Sequence, residues 1–116
     1  MWRAGLGFVG LLLVGLLASP IAASGRPSVT TDRVTMTEFH FALSPSKVNK
    51  GTIRFKLVNN GSVGHDLKIN GKKSATIGPH KTGSLTVTFR KAGRYPYLCT
   101  IPGHAAAGMK GVLVVK

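Results

Sequence analysis

The sequence predicts an all-β chain folded as an antiparallel Greek-key β-sandwich of seven or eight strands. Three observations carry this expectation. Apolar and polar residues alternate in short runs, turn-forming residues recur about every 8–12 positions, and no segment beyond the N-terminal apolar stretch has a helical period. A length of 116 residues leaves room for one domain with one core.

The first 24 residues stand apart from that pattern. "MWRAGLGFVGLLLVGLLASPIAAS" opens with one positive charge at Arg3, continues as an apolar run from Ala4 to Ala18, and ends in small residues. This is the layout of a secretory signal peptide, with cleavage expected near Ala23 to Gly25. The apolar run is shorter than the roughly 20 residues a membrane span needs. An exported protein is therefore expected, in the periplasm or on the extracytoplasmic face. No cysteine lies near the end of the leader, which argues against a lipid anchor. Residues 25–33, within "SGRPSVTTDR", read as a polar lead-in, and residues 34–116 as the folded domain.

Within the domain, "VTMTEFHFAL" alternates so that Phe39, Phe41 and Leu43 share one face and Glu38 and His40 the other. "GTIRFKLVN" places Ile53, Phe55 and Leu57 inward and Arg54 and Lys56 outward. "HDLKI" is a short run with Leu67 and Ile69, and "GSLTVTF" groups Leu85, Val87 and Phe89. "GRYPYLC" and "GVLVVK" close the chain. Ser44-Pro45, Lys50-Gly51, Asn59-Asn60-Gly61, Asn70-Gly71, Gly78-Pro79 and Ala92-Gly93 supply turns between the runs. Pro96 cannot donate a ladder hydrogen bond, so its strand is expected at an edge or bulged there. Met36 reads as a packing residue, and His40 and His80 as exposed surface residues.

The chain carries 16 Lys and Arg against three acids, a net charge of +13. Loss of Arg3 with the leader lowers this by one. Such a surface fits an anionic partner. The basic residues are spread along the chain without a basic helix or interleaved aromatics, and the protein is exported, so nucleic acid is not expected. An acidic protein, or an anionic membrane surface, fits better. A single cysteine cannot form an internal disulfide, so an exported chain must bury it, pair it between chains or place it on a metal.

Cys99 sits in "CTIPGHAAAGM" with His104 and Met109. Pro102-Gly103 makes a tight turn that brings His104 back toward Cys99, and Ala105, Ala106, Ala107 and Gly108 let the backbone wrap closely. A thiolate, an imidazole and a thioether at this spacing can reach one ion. The best second imidazole is His65, in "NNGSVGHDL". One Cys, two His and a weak axial Met form the trigonal site of blue copper.

Strand patterning followed by "GHDL" and then "YLCTIPGHAAAGMKGVLVV" resembles the cupredoxins, the small type 1 blue-copper proteins that include plastocyanin, azurin and rusticyanin. The resemblance spans residues 34–116 and rests on the Cys-x4-His-x4-Met spacing with an upstream His followed by Asp. Plastocyanin has a shorter Cys-to-His interval and azurin a shorter His-to-Met interval; the loop is most similar to the rusticyanin spacing. The resemblance implies one type 1 copper ion, with His65, Cys99 and His104 as equatorial ligands and Met109 as the axial one. It also implies that Asp66, beside the first histidine, holds the site by hydrogen bonding, with Thr100 as its expected partner. Gly64 precedes the histidine as it does in azurin, where that carbonyl approaches the copper.

The resemblance implies one-electron transfer through the edge of His104, and no enzyme activity. Ile101, Pro102, Ala105, Ala106 and Ala107 would form an apolar rim where a redox partner docks. That partner is expected to be acidic, a cytochrome or oxidase domain, and the protein a monomer. A second copper site is not expected, because the chain has no His-x-His motif and only one cysteine. Two rival readings are a copper carrier or scavenger using the same ligands, and an adhesion module that is metal-free or holds zinc.

Overall fold

In a computed structural model, the chain is described over residues 28–116, together with Gly10 and Gly15. Apart from those two glycines the expected signal peptide lies outside the described residues. Among the described residues nine strands follow one another: β1 (Val29–Thr37), β2 (His40–Ser44), β3 (Lys47–Val48), β4 (Gly51–Asn59), β5 (Lys68–Ile69), β6 (Lys72–Lys73), β7 (Thr82–Phe89), β8 (Gly93–Leu98) and β9 (Lys110–Val115). They form two sheets, ordered β2-β1-β4-β7 and β3-β9-β8-β5-β6. Among the described residues no helix is long and apolar enough to cross a membrane.

The alternation read from the sequence is what makes two sheets close on each other. Ile53, Phe55 and Leu57 of β4 are buried while Arg54 and Lys56 between them are exposed, and Val87 and Phe89 of β7 join the same interior. Leu113 and Val115 of β9 and Ile69 of β5 face them from the second sheet. Full burial of one such side chain is worth about 1.5–3 kcal/mol. Aromatic edges link the layers: Phe89 of β7 meets Tyr95 of β8 at 4.8 Å, and Phe41 of β2 meets Tyr97 of β8 at 5.4 Å.

The structure corrects four expectations. Nine strands are found among the described residues, because β3 and β6 are two-residue pairings too short to show a period and one apparent run is two strands. Two of its pairings, β1 with β4 and β3 with β9, are parallel. The first strand begins at Val29, so most of the expected polar lead-in is strand, paired from Val29↔Thr52 onward. "VTMTEFHFAL" is not one strand but a hairpin: β1 and β2 pair from Arg33↔Ser44 to Thr37↔His40, with Glu38 and Phe39 as the turn. Phe39 takes φ 33° there and is 42% exposed, where the alternation had put it in the core beside Phe41. His40 and His80 are exposed and Met36 is buried, as expected.

Pro96 lies in β8, which is interior to its sheet. β5 pairs only Tyr97 and Leu98, however, so Pro96 has a partner on the β9 side alone, Val112. The strand is an edge at that residue, which satisfies the constraint in a different way.

Candidate metal centre

The site forms at one end of the sandwich, where three connections converge: the β1–β2 turn, the β4–β5 loop and the β8–β9 loop. Asn59, the last residue of β4 and fully buried, orders the second of these. Its amide nitrogen donates to the carbonyls of Val63 and Ile77, each at 2.8 Å, and its oxygen accepts the Gly61 N–H at 2.8 Å. His65 then pairs with Ile77 in a single antiparallel bridge, through His65 N–H to Ile77 O at 3.1 Å and Ile77 N–H to His65 O at 2.7 Å. The histidine side chain is thereby fixed on backbone and shut away from solvent.

The β8–β9 loop is wound tightly upon itself. Pro102-Gly103 turns the chain, with Gly103 at φ 86° and the His104 N–H on the Ile101 carbonyl at 3.0 Å. Ala107 N–H reaches Gly103 O and His104 O, and Gly108 N–H reaches Ala105 O. Cys99 N–H bonds Met109 O at 3.1 Å, and Met109 N–H bonds His104 O at 3.0 Å. The first and last residues of the motif are therefore joined through backbone. Met109 and Cys99 are both buried, and His104 is half-buried.

These two loops bring three donor atoms together, all within 4.8 Å of one another: His65, Cys99 and His104. His65 Nδ1 and His104 Nδ1 are 3.2 Å apart, and Cys99 Sγ is 3.5 Å from His104 Nδ1. A single proton between the two nitrogens satisfies one lone pair at most, whereas a cation among the three atoms satisfies all of them. Burial pushes the Cys99 thiol above its ordinary value, with backbone hydrogen bonds at Asp66 and Ile101 offsetting part of this. A bound cation is what would hold it as thiolate in so sheltered a place. The donor set fits a soft copper site, and the buried Met109, joined through backbone to Cys99 and His104, would supply a fourth donor.

Asp66 and Thr100 are hydrogen-bonded to each other. The carboxylate accepts the Thr100 N–H at 2.6 Å through Oδ1, and the Thr100 hydroxyl through Oδ2. Because Asp66 follows His65 and Thr100 follows Cys99, this clamp ties the two ligand-bearing segments together. Gly64 packs on Thr76, where a β-carbon would sit 2.9 Å from the threonine methyl.

Two neighbours of the site were not legible as such. Glu38, in the β1–β2 turn, accepts the Ser62 N–H at 2.8 Å and the Val63 N–H at 3.2 Å, and its Oε1 lies 3.2 Å from His65 Nε2. Burial opposes its ionisation, but the Ser62 and Val63 amides and His65 outweigh it and hold the carboxyl below the usual range. Phe39 sets its ring edge-on to His104 at 5.1 Å. It joins an exposed fringe with Val63, Pro102, Ala106 and Ala107, while Ile101 and Ala105 are half-buried. A usable signal for Glu38 was scarcity: with three acids in the chain, each one is a poor candidate for surface decoration.

A two-sheet sandwich with His, Cys, His and Met donors gathered at one end defines a copper-binding protein of the blue-copper class. The family described as Cupredoxin-like domain matches residues 7–115, and the chain belongs to it. Among curated proteins, the copper-resistant cuproprotein CopI of Pseudomonas aeruginosa is 43% identical over 53 residues, 46% of this chain and 29% of that protein. Auracyanin-B of Chloroflexus aurantiacus is 45% identical over 42 residues, 36% of this chain and 18% of that protein. The chain thus matches less than a third of the length of either. Among solved structures, auracyanin B superposes with a TM-score of 0.65 at 24% identity, over 79% of this chain and 91% of that one. Family and donor set together give one copper ion as the cofactor, with His65, Cys99, His104 and Met109 positioned as ligands.

Proposed function

We propose that the protein is an exported one-electron carrier, a type 1 copper protein rather than an enzyme. The observation that carries this reading is the closed donor set: two imidazoles and a thiol whose donor atoms lie within 4.8 Å of one another, with a buried methionine at the end of the same loop, each held by backbone or by the Asp66–Thr100 clamp. The chemistry that copper supplies in such a site is one-electron exchange between its +1 and +2 states. The protein's part is to keep the donors still. Asn59 fixes the His65 loop, the Met109 backbone fixes Cys99 and His104, and four protein donors leave no position for a substrate. Little movement on electron transfer means a small reorganisation cost.

His104 is the donor that reaches the surface, bordered by Phe39 and by the small residues of its own loop. An apolar rim of that size suits the small contacts of transient electron-transfer pairs. The basic surface suits an acidic partner, a cytochrome or oxidase domain, whose approach it would steer. The leader-like N-terminus supports an extracytoplasmic location. A second reading, copper handling, is favoured by one observation, the similarity to a protein named a copper-resistant cuproprotein.

Bimolecular rates separate the two. Electron transfer to an acidic cytochrome should slow as salt rises, since charges beyond a Debye length of about 10 Å at 0.1 M are screened. It should slow more than transfer to a neutral cytochrome. Ala106→Glu, in the exposed rim, should impair transfer even at high salt. Salt-independent rates, an unaffected Ala106→Glu protein and ready loss of copper to a chelator would favour copper handling.

A further inference from the structure

We propose that Glu38 is a positioning residue for the copper site: its carboxylate sets which nitrogen His65 presents to the ion, and its charge lowers the reduction potential. The first half follows from hydrogen-bond chemistry and the second rests on the copper reading above. A neutral imidazole carries its proton on one nitrogen and a lone pair on the other. Glu38 Oε1 lies 3.2 Å from His65 Nε2, and an ionised carboxylate can only accept. The proton is therefore held on Nε2, and the lone pair is left on Nδ1, the nitrogen that faces His104 Nδ1 at 3.2 Å.

The contact is built into the surrounding chain. The same oxygen accepts the Ser62 and Val63 amides, so it is anchored to the loop that carries His65. Gly61 leaves the space it occupies: a β-carbon there would overlap Glu38 Oε1 and come within 3.0 Å of His65 Nε2. A carboxylate behind a metal-bound histidine fixes its ring and raises its basicity. Its negative charge favours the +2 state of the ion over the +1 state, which moves the potential down.

Three variants of the full chain test this, each measured metal-free and copper-loaded. Nitrogen NMR of His65 in the metal-free protein reads the tautomer without reference to copper. The wild type should show the Nε2–H form alone. Glu38→Ala should give a mixture of tautomers, bind copper about 10–100-fold more weakly, shift the visible spectrum and raise the potential. Gly61→Ala, which blocks the approach while leaving the acid in place, should shift the tautomer in the same direction. Glu38→Gln, which keeps an acceptor without the charge, should restore the Nε2–H form and the affinity but retain a raised potential. A Glu38→Ala protein that is less stable yet keeps the wild-type tautomer and potential would overturn the proposal, leaving Glu38 as a loop tether only. A clean tautomer result in a protein that gives no blue copper centre would instead bring down the copper reading and spare the assignment of His65.

Discussion

Asp66 and Asp32 are both shut away from solvent, at 1% and 0% exposure, and they are served very differently. At the metal end, Asp66 has both oxygens engaged by Thr100. Inside the sandwich, on β1, neither oxygen of Asp32 has a hydrogen-bond partner among the described residues. Burial pushes the Asp32 carboxyl up to about 6, and the nearby Ser44 backbone offsets only part of that without closing a bond of normal geometry. The phenol of Tyr97 is raised as well, by its own burial and then by the Asp32 charge. The difference teaches where this fold tolerates buried charge. Beside the ligands, a desolvated carboxylate ties two segments together and is compensated by two charge-assisted bonds. In the core, a desolvated carboxylate is a cost with no return visible in the structure.

The largest effect expected is from breaking the compensated acid. Asp66→Ala leaves the Thr100 amide and hydroxyl without their acceptor, and hydrogen bonds to a charged group are worth about 1.5–3 kcal/mol each. A loss of about 3–5 kcal/mol in denaturant unfolding is expected, with copper affinity reduced about 10–100-fold. The ligands themselves remain, so a visible band should survive in copper-saturated protein. Unchanged stability would show that Thr100 finds water or another acceptor at no cost, and the clamp would lose its role.

Relieving the uncompensated acid should act in the opposite direction. Asp32 has a folded pKa near 6 against an ordinary value of 3.8, so the native state holds its proton more tightly than the unfolded chain does. Stability contributed by this group is therefore greatest below pH 4 and is lost as pH rises through about 6. At neutral pH the loss is about 3 kcal/mol, at 1.36 kcal/mol per pH unit. Asp32→Asn should remove that slope: the variant should gain on the wild type between pH 4 and pH 7 in thermal unfolding, with an unaltered copper spectrum. A wild-type curve flat across that range would mean that Asp32 does find a partner in solution.

The same contrast explains what could be read from the sequence. Cys99, His104 and Met109 were legible because they sit in one loop whose spacing is chemically distinctive, and His65 because a histidine before Asp66 opens a strand-like run. The Asp66–Thr100 clamp was legible because each residue follows a ligand in the chain. The strands of the core were legible from period-2 burial, as in β4 and β7. The Glu38–Phe39 turn was not: it lacks Gly, Asn, Asp and Pro, so the reversal between Thr37 and His40 is hidden inside an unbroken alternation. By contrast Asn70-Gly71, with φ 51° and 75°, announced its turn. Missing one reversal hid both Glu38 and Phe39 from the site. Asp32 was hidden for a related reason, since a polar residue in a polar stretch gave no sign that β1 had already begun.

The smallest effect expected is the coupling between the two acids, and it is the sharpest test of treating them as separate regions. Asp66 and Asp32 share no hydrogen-bond partner. A connection does exist: Tyr97 feels the Asp32 charge, and Tyr97 lies on β8 two residues before Cys99 and three before Thr100. If β8 is rigid, that connection transmits little, and independent sites add to within about 0.3–0.5 kcal/mol. The Asp32→Asn, Asp66→Ala double variant should then regain about 3 kcal/mol over Asp66→Ala alone at neutral pH, the same gain Asp32→Asn gives the wild type. Its copper affinity should equal that of Asp66→Ala. A coupling energy well above 0.5 kcal/mol, or a partial return of copper affinity in the double variant, would mean that the Asp32 charge acts along β8 on the ligand loop. The core acid would then belong to the site, and the division drawn between the two regions would fail.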